Sequence, residues 1–208
     1  MDPQPSSQEI DSSRTQFWVK RWQGGKIPWD LGHVPKDLLS FLERTHGEPT
    51  RVLVPGCGSG YEVRAFHDAG HDVSAIDFSG PAVAHARATL GPLGDRVIQG
   101  NFFKHDFAGQ RFGLIYERGF LCSIPPARWR EYASRMADLL VPGGRLVGLF
   151  LYGEEPEPPP FPLRDTTASA LFDPEFRLVR ATEAAPDSVP VYQGMERWQE
   201  WERRPPVT

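Results

Sequence analysis

The feature that most constrains the fold is an alternation of short apolar runs with stretches of helical periodicity between residues 51 and 152. Each apolar run ends at turn-forming residues, which is typical of a buried strand. The predicted strands cover residues 51–55, 72–78, 96–99, 112–117 and 145–152. Strands that alternate with helices form a parallel sheet with helices on both faces.

Between these strands, apolar residues recur at helical spacing over residues 61–69, 81–90 and 127–140. A Val-Pro-Gly-Gly turn at residues 141–144 is predicted to end the last helix. Residues 176–183 and 195–203 are two further predicted strands without a helix between them, which favours an antiparallel hairpin at one sheet edge. The prediction is a Rossmann-like α/β fold with a mostly parallel seven-stranded sheet, an antiparallel edge hairpin and helices on both faces.

The composition excludes several classes of protein. The 208 residues suffice for one α/β domain, and the net charge of −4 comes without the clustered Lys and Arg that nucleic-acid binding requires. Cys57 and Cys122 have neither a disulfide framework nor metal-ligand spacing, which fits a reducing cytoplasm. Because signal-peptide and membrane-spanning patterns are absent, we expect a soluble cytoplasmic monomer without membrane or nucleic-acid partners. Polar residues 1–14 are expected to be disordered and residues 15–208 to form the domain.

A glycine-rich turn follows the first predicted strand, with Gly56, Gly58 and Gly60 in a G-x-G-x-G pattern. Without side chains at these positions, a ligand can approach the main chain at the carboxyl ends of the strands. The third glycine comes one residue earlier than in a dinucleotide fingerprint, which favours a nucleoside joined to an amino acid over a pyrophosphate. The alternative is a tight connection without a ligand.

The next two predicted strands end in residues that suit a nucleoside. Asp77 follows the glycines at about the offset that brings a carboxylate to a ribose diol. Its alternative role is to cap the following helix. Asn101 and Phe102 suit the edge and the face of an adenine, whereas the alternative for Phe102 or Phe103 is packing in the core.

Several longer segments occur in a specific order: FWVKRW at residues 17–22, PWDLG at 28–32, LVPGCG at 53–58, GFLCSI at 119–124 and LLVPGG at 139–144. Together they resemble the thiopurine S-methyltransferase superfamily of class I S-adenosylmethionine-dependent methyltransferases, including its thiol and halide methyltransferase branch. The N-terminal Trp pattern distinguishes this superfamily from class I methyltransferases generally. The resemblance covers most of the chain.

The resemblance implies S-adenosyl-L-methionine as cofactor and a small methyl acceptor: a thiol, thiopurine, sulfide, thiocyanate or halide. It also implies an N-terminal lid over residues 15–34. The cofactor contacts that it implies are Trp18, Trp22, Trp29, Gly56, Gly58, Asp77, Asn101, Phe102 and Arg118. For the tryptophans, the alternative is that they anchor a helix in the core.

Arg118 follows the fourth predicted strand, and the resemblance places it in the active site as a residue that positions the acceptor. Thiopurine enzymes have arginine there, whereas the plant-type branch tends to have an aromatic residue. The alternative is an ion pair with Glu117 or Asp77 at the sheet edge.

The histidines are expected at the surface, away from this strand tip: His33, His67, His71, His85 and His105. A soft nucleophile attacks without a strong base, which favours S-methylation.

Three other functions fit parts of the pattern. Methylation of oxygen or nitrogen in a small metabolite needs the same cofactor site with a general base. An NAD-dependent oxidoreductase would use the same type of strand–turn–helix unit, although the glycine spacing and the terminal hairpin argue against it. A non-catalytic protein could retain the cofactor site alone.

The proline-rich loop at residues 154–161 is expected to form an acceptor wall opposite the lid.

Overall fold

The computed structural model describes residues 12, 14–155 and 158–205. The strands are β1 (Arg51–Pro55), β2 (Asp72–Asp77), β3 (Val97–Gln99), β4 (Phe112–Arg118), β5 (Leu140–Leu151), β6 (Phe176–Glu183) and β7 (Glu196–Arg203). The helices are α1 (Thr15–Gln23), α2 (Lys36–Arg44), α3 (Tyr61–Asp68), α4 (Gly80–Leu90), α5 (Trp129–Leu139) and α6 (Asp165–Phe172). Of the segment expected to be disordered, residues 1–11 and 13 lie outside the described residues.

The seven strands form one sheet in the order β3-β2-β1-β4-β5-β7-β6. Strands β1 to β5 pair in parallel, whereas β7 is antiparallel to both β5 and β6. The predicted mostly parallel sheet with an antiparallel edge hairpin is therefore confirmed. A dinucleotide-binding Rossmann sheet has the all-parallel order 3-2-1-4-5-6, so the antiparallel β7 at this place argues against the oxidoreductase alternative.

Helices cover both faces of the sheet, as predicted. On one face α5 and α6 bury Tyr132, Met136 and Phe172 in one apolar cluster. On the other face α2 and α3 bury Leu38 and Phe66 in a second cluster. Each fully buried apolar side chain of this size stabilises the fold by about 1.5–3 kcal/mol, so the two clusters fix the sheet between its helical layers.

Strand β5 begins five residues earlier than the turn chemistry predicts. Leu140 already pairs with Phe112, and the register then shifts so that Leu114 pairs with Arg145. Gly143 has a left-handed φ of 77° inside this irregular segment. The Val-Pro-Gly-Gly sequence therefore lies within the strand as an irregularity, because α5 has already ended at Leu139.

The expectation that His71 lies at the surface is wrong. Only 8% of His71 is exposed, and its ring packs edge-on against Phe66 at a centroid distance of 5.7 Å. Its Nδ1 accepts a hydrogen bond from the backbone N–H of Thr50 at 3.2 Å, and burial lowers its pKa. His71 therefore supports the backbone just before β1 and does not line the cavity described below.

No helix among the described residues combines the length and the hydropathy needed to cross a membrane.

Candidate active site

A cavity at the carboxyl ends of β1, β2 and β4 contains about 1260 Å³ of empty space, including its mouth. Open α/β sheets bind ligands at this edge. All the residues predicted for the site line this cavity: Trp18, Trp22, Trp29, Gly56, Gly58, Asp77, Asn101, Phe102 and Arg118. Within the part of the chain that the structure describes, no group of three His, Cys, Asp or Glu side chains is placed to hold a metal ion.

The glycine turn brings bare backbone to the cavity wall. Gly56 and Gly58 have φ angles of 60° and 50°, in the left-handed region that favours glycine. A Cβ at Gly56 would lie 2.5 Å from Cδ2 of Phe120, so the ring occupies the space that a side chain would need. The turn therefore requires glycine both for its conformation and for its contact with Phe120.

Asp77 links β2 to this turn. Its Oδ2 accepts a hydrogen bond from the backbone N–H of Gly58 at 3.1 Å, and its Oδ1 accepts one from Ser79 at 2.9 Å. Ser79 is the N-cap residue of α4, so Asp77 holds the start of this helix as well as the glycine turn. Burial raises the pKa of Asp77, while the two backbone bonds lower it. A carboxylate fixed in this way at the cavity wall can accept hydrogen bonds from a ribose diol.

Asn101 and Phe102 follow β3 at one end of the cavity. Asn101 Oδ1 accepts a hydrogen bond from the backbone N–H of Phe103 at 2.9 Å, which leaves its amide NH₂ group to face a ligand. Phe102 is 4% exposed and packs edge-on against Phe120 at 5.3 Å, within the core cluster. The residue therefore does both jobs considered for it, since it packs in the core and lines the cavity.

The N-terminal tryptophans line the cavity and are not fully buried. Trp18, Trp22 and Trp29 are all half-buried, whereas the buried residue of α1 is Phe17. Trp18 and Trp29 meet edge-on at a centroid distance of 5.3 Å, and Trp22 packs against His85 at 5.4 Å. Trp29 also packs against a small buried cluster that contains Val189 and Tyr192, so lining the cavity does not exclude an anchoring role for this segment.

A hydrogen bond joins this segment to the glycine turn. The Ser59 hydroxyl donates to Asp30 Oδ2 at 2.5 Å, and Asp30 Oδ1 accepts the backbone N–H of Gly32 at 2.9 Å. Ser59 lies between two glycines of the turn, so the lid segment and the turn are held in one arrangement. The contact between Ser59 and Asp30 was not apparent from the sequence, because 29 residues separate the two side chains.

Arg118 ends β4 and points into the cavity with 11% of its side chain exposed. Its Nε lies 3.6 Å from Oε1 of Glu196, and its Nη1 donates to the backbone oxygen of Trp29 at 3.4 Å. The alternative ion pairs with Glu117 or Asp77 are therefore not formed. Burial is the largest single influence on the pKa of Arg118 and lowers it, but the surrounding acidic groups, led by Glu196 and Glu62, together raise it, so the guanidinium stays charged.

Two nitrogens of Arg118 have no hydrogen-bond partner among the described residues. Nε and Nη2 are both buried, and neither makes a hydrogen bond with the part of the chain that the structure describes. Buried donors are almost always satisfied in native proteins, so unsatisfied donors in a cavity wall point to a ligand. The arrangement can hold an electron-rich atom by charge and by N–H donors.

Glu117 is buried on the opposite side of β4 from Arg118. Its carboxylate accepts hydrogen bonds from the backbone N–H groups of Phe120 and Leu121 at 2.8 and 3.0 Å and from the Tyr132 hydroxyl at 2.6 Å. Burial raises the pKa of Glu117 to about 7. Because it holds the backbone at residues 120 and 121, Glu117 positions the Phe120 ring in the cavity wall.

Cys122 is 5% exposed and packs in an apolar cluster with Leu151 and Val189. Burial raises the pKa of its thiol to about 12, and its Sγ donates to the Tyr192 hydroxyl at 3.9 Å. A thiol with so high a pKa is protonated at neutral pH and is neither a nucleophile nor a redox centre.

The sequence reasoning missed several residues of the cavity wall: Glu62, Tyr116, Phe120, Arg128 and Tyr192. Glu62 follows the last glycine of the turn by two residues, which was a usable signal. Tyr192 belongs to the connection before β7, and nothing in its local sequence connects it with β4. Arg128 stacks its guanidinium over the Phe103 ring at 3.9 Å.

The expectation that residues 154–161 form an acceptor wall does not hold for the described part of that loop. None of its described residues lines the cavity; residues 156 and 157 lie outside the described residues. Phe161 instead donates its backbone N–H to the backbone oxygen of Cys122 at 2.7 Å and lines a separate small pocket.

The model of the thiopurine S-methyltransferase family matches residues 13–204. A probable thiol methyltransferase 2 of Arabidopsis thaliana is 35% identical over 150 residues, which span 69% of this chain and 66% of that protein. Thiocyanate methyltransferase 1 of the same plant is 28% identical over 191 residues, or 89% of this chain and 84% of that protein.

Among solved structures, the 1,6-didemethyltoxoflavin-N1-methyltransferase of Burkholderia thailandensis, crystallised with its substrate and S-adenosylhomocysteine, is similar with a TM-score of 0.74. The similarity covers 98% of this chain and 92% of that one at 20% identity, so it supports the fold alone. The family match extends over nearly the whole chain. The glycine turn, the aspartate at the tip of β2 and the tryptophan segment also line one cavity. This chain therefore belongs to the thiopurine S-methyltransferase family of S-adenosylmethionine-dependent methyltransferases.

Proposed function

We propose that this enzyme transfers a methyl group from S-adenosylmethionine to a small soft nucleophile, such as a thiol, thiopurine, sulfide, thiocyanate or halide. The cofactor supplies a methyl group on an electrophilic sulfonium centre. The chain's own residues align the acceptor in line with that methyl and exclude water from the cavity. Both named relatives, a thiol and a thiocyanate methyltransferase, support an acceptor of this class.

The observation that carries this proposal is the pair of unsatisfied N–H donors of Arg118 in the cavity wall. A thiolate or a soft anion placed there is attracted by the charged guanidinium and accepts hydrogen bonds from its N–H donors. None of the six histidines, all of them described, lines the cavity. An acceptor that needs no general base suits this wall.

We assign the cofactor contacts to the residues already predicted. Asp77 accepts hydrogen bonds from the ribose hydroxyls, Asn101 and Phe102 contact the adenine, and Gly56 and Gly58 allow main-chain contact with the cofactor. The support is the position of all five residues on one cavity wall. The glycines follow β1, Asp77 ends β2, and Asn101 and Phe102 follow β3. This order matches that of the amino acid, the ribose and the adenine along the cofactor.

Residues 15–34 form the lid in this proposal, and residues 15–208 form one catalytic domain. Trp18, Trp22 and Trp29 are half-buried over the cavity, where their faces attract a sulfonium cation and exclude water. The contact between Arg118 Nη1 and the Trp29 backbone oxygen connects the lid with the acceptor site.

Methylation of oxygen or nitrogen is the second candidate, and one observation favours it. Glu62 is a buried carboxylate in the cavity wall, and burial raises its pKa; under this candidate it acts as the general base that such acceptors need and does not bind the cofactor. The two candidates differ in the acceptors that they methylate and in their dependence on this carboxylate.

A methyl-transfer panel separates the candidates. The full chain is incubated with methyl-labelled S-adenosylmethionine and with thiophenol, a thiopurine, sulfide, thiocyanate, iodide, phenol and an aromatic amine. We expect labelled product from sulfur or halide acceptors, and a loss of at least about tenfold in kcat/KM for Arg118→Gln. Arg177→Gln, on the exposed strand β6, is the matched control and retains full activity.

Product from phenols or amines alone would overturn the S-methyl assignment. Cofactor binding without transfer to any acceptor would instead favour a non-catalytic protein.

We further propose that the enzyme is a cytoplasmic monomer without a nucleic-acid partner. Two free cysteines fit a reducing compartment, and an acidic chain with a net charge of −4 does not attract phosphate backbones. Sedimentation velocity checks the monomer: a species of about twice the chain's mass of 23.4 kDa would contradict it.

A further inference from the structure

One part of the cavity wall is polar, and its protein partners satisfy it only in part. It consists of Glu62 from the first turn of α3 together with Tyr116 and Arg118 from β4. The Tyr116 side chain is buried between Phe66 and Trp198, and its hydroxyl has no hydrogen-bond partner among the described residues. This wall is therefore incomplete without a ligand.

Glu62 is the acidic member of this wall. The residue is 8% exposed, and its carboxylate interacts with its own backbone N–H but forms no ion pair with another described residue. Arg118 is close enough to lower the pKa of Glu62, although burial has the larger, opposite effect. A buried carboxylate without an ion-pair partner is costly, so its retention in a cavity wall indicates a cationic ligand group.

The other cavity-lining carboxylates are already engaged. Asp30 accepts hydrogen bonds from Ser59 and Gly32, and Asp77 accepts them from Gly58 and Ser79. Among the described carboxylates of the cavity wall, Glu62 thus has the greatest free capacity to accept hydrogen bonds. It faces the cavity two residues after Gly60, beside the turn where the main chain meets the cofactor.

We propose that Glu62 binds the α-ammonium group of the amino acid portion of S-adenosylmethionine. The cofactor has two cationic groups, but the sulfonium carries no hydrogen, so the ammonium alone can donate hydrogen bonds to a carboxylate. Asp77, at the tip of β2, lies between Glu62 and the end of the cavity formed by Asn101 and Phe102. With the adenine and the ribose at those positions, the amino acid portion of the ligand lies beside α3. This inference rests on the cofactor placement in the proposed function and extends it to the amino acid.

A purely structural role for Glu62 makes a different prediction. A carboxylate in the first turn of a helix is stabilised by the helix dipole, whatever ligand is bound. Its removal would then change the stability of α3 and affect all ligands of the cavity alike. The ammonium contact instead affects only ligands that carry an ammonium group.

The test is calorimetric titration of the full chain with three probes. S-Adenosylhomocysteine has the ammonium group, its deaminated analogue has the carboxylate without the ammonium, and 5′-methylthioadenosine has neither. We expect Glu62→Gln to weaken the binding of S-adenosylhomocysteine about 10- to 100-fold and to leave the other two within about twofold. Asp77→Asn is the matched control, because it weakens all three ligands, which share the ribose.

Equal weakening of all three ligands by Glu62→Gln, or unchanged binding of S-adenosylhomocysteine, would overturn the proposal. The wild-type chain supplies an independent check should the variant not fold: it must bind S-adenosylhomocysteine at least about tenfold more tightly than the deaminated analogue. Equal affinities in the wild type would also overturn the proposal. Failure of the wild type to bind any of the probes would instead refute the cofactor assignment itself.

Discussion

The Asp77 carboxylate accepts a hydrogen bond from the backbone N–H of Gly58 at 3.1 Å, so the tip of β2 holds the glycine turn that follows β1. One side chain thus fixes the main chain of the turn and presents an acceptor at the cavity wall. Replacing Asp77 with asparagine separates these two roles. The amide oxygen can still accept one backbone hydrogen bond, whereas the negative charge is lost.

Asp77→Asn is expected to weaken S-adenosylhomocysteine binding about 10- to 100-fold, because a neutral amide accepts ribose hydroxyls less strongly than a carboxylate does. Calorimetric titration measures the change. Asp72→Asn, at the exposed start of the same strand, removes ion pairs with Arg51 and Arg96 and should leave affinity unaltered. If Asp77→Asn binds like the wild type, Asp77 does not contact the ribose.

Gly56→Ala is expected to reduce the free energy of unfolding by more than its backbone conformation alone explains. The new methyl group would meet the Phe120 ring at 2.5 Å. Gly109→Ala is the matched control: its φ of 74° resembles the 60° of Gly56, but nothing lies within 4 Å of the added Cβ. We expect a loss of about 1–2 kcal/mol for the control and about 2–4 kcal/mol for Gly56→Ala in urea unfolding. Equal losses of unfolding free energy in the two variants would show that the Phe120 ring moves aside at no energetic cost.

Glu117 should make stability fall as pH rises. Burial raises its folded-state pKa to about 7 from a usual value of 4.5, so the folded protein binds the proton more tightly than the unfolded chain. The stabilisation is complete below about pH 4.5 and is lost as pH rises through about 7, by up to about 3 kcal/mol. The pKa values of Glu62, Asp77 and Glu196 are also raised, so the difference between wild type and Glu117→Gln isolates this residue.

Urea unfolding at a series of pH values from 5 to 8 measures that difference. Glu117→Gln carries no titrating group at this position and should have a shallower dependence on pH than the wild type. Parallel curves for the two proteins would contradict the role assigned to burial at this site.

Much of the site was predictable because its signals are local in sequence. The G-x-G-x-G turn and Asp77 each follow an apolar strand, and the carboxyl ends of parallel strands meet at one edge. The pairing of Arg118 with Glu196 was not predictable, because 78 positions separate them and only the insertion of β7 beside β5 brings them together. The hydrogen-bond partner of Glu117 on α5 was likewise hidden, because 15 positions separate Glu117 from Tyr132.

The local turn chemistry also misplaced the start of β5. Val-Pro-Gly-Gly favours a turn, and Gly143 does take a left-handed conformation, yet Leu140 is already held in the sheet by its pairing with Phe112. Tertiary pairing outweighed the local preference at this point.

A crystal structure of the chain with S-adenosylhomocysteine tests the central claim most directly. We predict that both ribose hydroxyls lie within hydrogen-bond distance of the Asp77 carboxylate, that the adenine contacts Phe102, and that the ligand sulfur faces the side of the cavity formed by Arg118 and Trp29. A ligand bound elsewhere, or an adenine at the Arg118 end of the cavity, would contradict the account.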